Sequence, residues 1–158
     1  MSDERGSVAV TVVLLLPFLL TTVSGVAELG ALRVLAARIT TAADLATLAA
    51  VDDQDGAALV DSGALRLAPD ASLVARDFFA RNLAAIAPHL AVTPEAAAAA
   101  ADIASFSTAP AVDPLTGWRY DRPAVRIAAS VPVHAPALGL FLVPTTTAIT
   151  VRAASSPR

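Results

Sequence analysis

Residues 6–50 read GSVAVTVVLLLPFLLTTVSGVAELGALRVLAARITTAADLATLAA, and how this stretch is read decides the fold. No charged side chain lies between Arg5 and Glu28. At about 1.5 Å per helical residue, that run reaches roughly 30 Å, the thickness of a bilayer's hydrocarbon core. Beyond Glu28 the apolar residues become periodic without a turn signal. Leu29, Leu32, Ala36, Ile39, Ala43, Ala46 and Ala50 recur at steps of three and four, so they form one stripe of a helix. Arg33, Thr40, Asp44 and Thr47 are expected on a polar face. One helix is therefore expected, its first half in lipid and its second half packed on protein. Pro17 lacks an N–H and is expected to bend or loosen the helix in mid-span. Glu28 is expected at the headgroup level, where its charge stays hydrated.

Outward from this stretch, 158 residues suffice for one small domain and a membrane segment. Apolar residues make up 56%, but alanine inflates that figure, and only the N-terminal run is long enough to span. The formal net charge is −3, all 11 basic residues are arginine, and no basic cluster follows the helix. Nucleic-acid binding therefore has no electrostatic footprint. With no cysteine, disulfides, thiolate zinc sites and cysteine nucleophiles are excluded.

After the helix, Asp52, Asp53, Asp55 and Gly56 resemble a calcium loop, but acids are missing at Val51 and Ser62, where the first and last ligands would stand. A solvated helix end with a turn at Gly56 is expected, then an irregular connection to Pro69. Asp70 is the expected N-cap of a second helix from Ala71 to Ala87, stopped by Pro88. Its apolar stripe is Phe79, Leu83, Ile86 and Leu90, widened by Val74 and Phe78, with Asp77 and Arg81 paired on the other side. Thr93-Pro94-Glu95 predicts a helix start running to about Asp102, then a loose strand around Ile103 and Phe106. Asp113 to Gly117 is turn chemistry. Trp118 to Pro132 alternates as a strand beginning near Pro123, with Val125, Ile127, Ala129 and Val131 on one side and Arg126 and Ser130 on the other. Ala135 to Val143 is an apolar connection, and Thr145 to Ala153 a final strand. The predicted fold class is α+β: a long N-terminal helix and a second helix packed on a small antiparallel sheet.

A search for chemistry finds little. His89 and His134 lack partners at metal-ligand spacing, and no nucleotide-binding or hydrolase motif occurs. No catalytic residue, cofactor or metal ligand is assigned. Two stretches stand out as contact surfaces. Trp118 heads the cluster WRYDR, residue types enriched at binding hot spots. Leu140 and Phe141 lie in GLFLV, too apolar a run for a solvated loop.

The residues from Arg5 to Val51 carry a family resemblance. A polar leader ending in glycine, an apolar span with a central proline, the exit GVAELG and the alanine-rich TTAADLATLAA follow in order. In this the chain resembles the pilin-like TadE/TadG proteins of tight-adherence (Tad, or Flp) pilus assembly systems. Residues 125–155, a strand, an apolar connection and a closing strand, are similar to the ends of those proteins.

The resemblance implies a pilin-like layout and a single-pass protein of the inner membrane. Residues 1–6 would be a cytoplasmic leader, 7–30 the transmembrane segment with its helix continuing to about 51, and 52–158 an extracytoplasmic α+β domain. It implies other pilin-like or pilus-assembly proteins as partners, and an assembly role without enzymatic activity. It also implies processing of some members by a prepilin peptidase between a glycine and the next residue, here Gly6 and Ser7. Cleaved, polymerising members carry Glu five residues after that glycine, where this chain has Thr11, which shifts the expectation towards an uncleaved anchor. The alternative is a secreted or periplasmic small binding domain with a cleaved signal peptide, Gly25 and Ala27 serving as the −3 and −1 positions. Asp3 and Glu4 in the leader and the length of the apolar run argue against it.

Overall fold

The computed structural model describes residues 3–141 and 145–157. One helix, α1 (Asp3–Asp52), runs unbroken from the apolar run into the domain. Its lower half is buried where the periodicity places it: Ile39, Ala43, Ala46 and Ala50 are fully buried, and Leu35, Ala42 and Val51 nearly so. Leu29, predicted on the same stripe, is exposed, so domain packing begins about one turn later, at Leu32 and Leu35. The small residues Ala42, Ala43, Ala46 and Ala50 let neighbouring elements approach the helix closely, which is how an alanine-rich segment makes a core.

Thr47 departs from the expected polar face. It is fully buried, and its hydroxyl lies 2.9 Å from the Ser155 hydroxyl, with a second bond donated to the Asp44 carbonyl. Those partners satisfy the hydroxyl, so it can take a core position.

Past α1, the expected irregular connection contains a short helix, α2 (Gly56–Ser62). Asp55 caps it, its carboxylate accepting from the Ala57 and Ala58 amides, and Gly63 closes it at φ 64°. Asp52 ends α1 as expected, and Asp55 starts a second helix where a turn was expected at Gly56. Helix α3 (Ala71–Ala84) ends three residues earlier than expected, where Ile86 N–H bonds Leu83 O and the chain passes into a 3-10 turn, Ala87–His89. Asp70 caps it only through its backbone carbonyl, which accepts from Leu73 and Val74; its side chain makes no cap bond. Ala71, Ala75, Phe79 and Leu83 are buried at spacing four and lie against α1. Asp77 and Arg81 pair as predicted, and the Arg81 guanidinium sits 5.7 Å from the centre of the Phe78 ring. Helix α4 (Pro94–Ala100) has the expected cap, the Thr93 hydroxyl accepting from Ala96 N–H.

The strands are β1 (Asp102–Phe106), β2 (Ala111–Val112), β3 (Arg119–Tyr120), β4 (Ala124–His134) and β5 (Thr146–Ser155). A three-stranded antiparallel sheet has the order β1-β4-β5, with Ile103 opposite Ile127 and Val131 opposite Ile149. Strand β4 begins at Ala124, just past Pro123 as expected, and the residues from Trp118 that precede it form a separate short strand. Arg119–Tyr120 pairs with Ala111–Val112 in a separate ribbon around the Asp113–Gly117 turn, and the chain breaks at Asp121–Pro123 before β4. Val125, Ile127, Ala129, Val131 and Val133 are buried and join α1 and α3 in one core. The fold is α+β, a long helix and shorter helices on a small antiparallel sheet.

Two ends of the domain are thereby defined. Ser155 of β5 meets Thr47 near the end of α1, so the β2–β3 ribbon marks the far end. His134 closes β4 at the opposite end, beside Glu28 to Arg38 of α1.

Candidate functional site

Val10 to Ala27 of α1 contains no buried residue. Val10, Val13, Leu14, Phe18 and Val26 are each 60–71% exposed. Residues from Val10 form the single helix, among those described, that is long and apolar enough to cross a membrane, with a mean hydropathy of 2.2 over its most apolar window. Such a face in water would leave a large apolar surface hydrated, far beyond the few hundred Å² that soluble monomers expose. Pro17 lies inside this run and the helix continues through it. Just beyond, Thr21 donates to the Pro17 carbonyl at 2.7 Å and Thr22 to the Phe18 carbonyl at 2.8 Å, so neither hydroxyl is left unsatisfied in the run. Thr11 is exposed on the same helix, one turn beyond Ser7. Gly6 and Ser7 are helical in backbone, and their surroundings lie outside the described side chains.

Glu28, at the end of the run, is half-buried. It lines a cleft of about 440 Å³ at the span-side end of the domain, together with Leu35, Arg38, His89, His134 and Pro136.

Residues 6–53 match the family model of putative Flp pilus-assembly TadE/G-like proteins. The match ends one residue past α1, so the helix carries it and the residues that follow lie beyond the matched segment. No curated protein and no solved structure matches the chain.

At the far end, Trp118 is 64% exposed and lines a cavity of about 210 Å³ with Leu115, Thr116, Tyr120, Arg126 and Arg152. Sequence reading missed what holds this end together. Arg126 points away from the apolar face of β4, as alternation requires, yet its side chain is only 4% exposed. Its guanidinium lies 3.0 Å from the Asp113 carboxylate, which is fully buried, and 3.1 Å from Asp102. Asp113 also accepts from the Leu115 amide and the Thr116 hydroxyl. Burial pushes the Asp113 carboxyl up, but those two bonds and the Arg126 charge outweigh it and hold the group below its ordinary value. Burial and the Asp113 charge push the neighbouring Tyr120 phenol up, against Arg126. The Tyr120 ring packs on Phe106 at 5.1 Å between centres. The cluster clamps the β2–β3 ribbon to β1 and β4. Its signal in the sequence was a charge in the middle of an apolar strand.

The other contact stretch forms a 3-10 segment, Pro136–Phe141. The side chains of Leu140 and Phe141 lie outside the described ones, as do residues 142–144. Among the described residues, no group of His, Cys, Asp or Glu could hold a metal ion.

Proposed function

We propose that this protein is a membrane-anchored, pilin-like component of a Tad/Flp-type pilus assembly or secretion system. It passes once through the inner membrane, keeps its leader in the cytoplasm and holds the α+β domain outside. It acts by packing its helix in the bilayer and by protein contacts beyond it, with other pilin-like or pilus-assembly proteins as partners. One observation carries the reading: the segment that matches the TadE/G-like family is a single helix, bare and apolar in its first half and core in its second. Thr11 in place of the glutamate that the resemblance leads one to expect favours an accessory that keeps its leader, with Gly6–Ser7 uncut by a prepilin peptidase.

A second reading, a secreted binding domain released by a signal peptidase after Ala27, is favoured by one fact. Among the described residues of α1 the first buried one is Leu35, so a chain starting at Glu28 would keep all of those that are described as buried. Intact mass of the membrane-fraction protein separates the readings. An end at Met1 or Ser2 is expected; an end at Ser7 would show prepilin processing, and an end at Glu28, with the protein soluble, would overturn the anchor.

A further inference from the structure

His89 and His134 are 45 positions apart in sequence, yet the fold sets them side by side. Leu90 and Val133 form an isolated antiparallel bridge, and Ala91 N–H donates to Pro132 O at 2.9 Å. The next pair outward in that register is His89 and His134, and both residues line the span-side cleft with Arg38. Among the described residues, no hydrogen bond or ion pair engages the side chains of Glu28, Arg38, His89 or His134. Leu32, Leu35 and Pro136 supply an apolar wall.

We propose that this cleft binds the phosphate of an anionic phospholipid headgroup and so fixes the domain upright on the bilayer. The inference rests on the membrane-anchor reading. Arg38 lies eight residues past Gly30, roughly 12 Å along the helix, and a long arginine side chain can reach back towards a headgroup layer some 5–8 Å thick. The guanidinium fork suits a phosphate, and an imidazole donates an N–H in either charge state. Both histidines are exposed, and the cleft opens where α1 leaves the apolar run, so a lipid can enter from the side. Glu28, on the span-side wall, opposes an anion and limits how strongly it is held.

The test uses the full chain, which has no cysteine, with Pro88→Cys carrying a fluorophore beside the cleft. The protein is reconstituted into vesicles of phosphatidylcholine alone or with about a third phosphatidylglycerol, both containing a headgroup-bound quencher. Quenching at position 88 is expected to report a docked fraction about fivefold higher with phosphatidylglycerol. The gain should be lost in the R38Q/H89Q/H134Q variant, increased by Glu28→Gln, and reduced by salt. Trp118, at the far end, is expected to stay unquenched. Equal quenching in both vesicles, a gain that survives the triple variant, or quenching of Trp118 from a domain lying flat would overturn the proposal while leaving the anchor standing. Failure of the chain to float with either vesicle would overturn both.

Discussion

At the residue scale, the polar groups in the core report most about how the domain closes. Thr47 and Ser155 lie 108 positions apart and join the end of α1 to the end of β5. Thr47→Val keeps the shape and removes the bond, and is expected to cost about 1 kcal/mol in urea unfolding. No loss would show that the pair contributes nothing. Asp113 gives a pH test. Its folded carboxyl lies below the ordinary value of 3.8, so the folded state takes up that proton less readily than the unfolded chain. The stability it contributes is full above that value and is lost as pH falls through the lower folded pKa. Denaturant midpoints should therefore drop below about pH 4, and Asp113→Asn should flatten that part of the profile. An unchanged profile would remove the clamp from the account. These features were hard to read from sequence because a buried polar residue is defined by partners far along the chain. Thr47 looks like any surface threonine until Ser155 is beside it, and Arg126 like an exposed strand position until Asp113 covers it.

Elements with a buried stripe were legible, and those without one were not. Helix α3 announces itself by Phe79 and Leu83, and α1 by Ile39 and its alanines, because burial imposes the period. Phe79 is fully enclosed among α1, α3 and the sheet, so Phe79→Ala is expected to cost about 3–5 kcal/mol by calorimetry or denaturation. A loss under 1 kcal/mol would mean that the core collapses around the gap. Helix α2 buries none of its residues, so no period could reveal it, and only the Asp55 cap marks its start. Asp55→Ala should cost about 1 kcal/mol or less and fray only that turn, visible as faster amide exchange at Ala57 and Ala58. The histidine pair of the cleft was invisible for a related reason: one isolated bridge, with no sequence pattern of its own, brings the two together.

For the whole molecule, the central claim is that one helix serves two solvents. From Val10 to Ala27 no side chain is buried, whereas the turns from Leu35 present a single stripe to the core. The long uncharged run and the later stripe were both legible. Where one role hands over to the other was not, because Leu29 continues the period of the stripe although the domain does not reach it. Single cysteines placed along α1 of this cysteine-free chain, in native membranes, test the claim most directly through their reaction with a membrane-impermeant maleimide. Positions 14, 18 and 23 are expected to stay unreactive unless the membrane is dissolved. Positions 37 and 45 should react at once, and positions 39 and 46 only after unfolding. Uniform reactivity from position 14 to position 45, or ready labelling at 39 and 46 in the folded protein, would contradict a helix that is anchor in one half and core in the other.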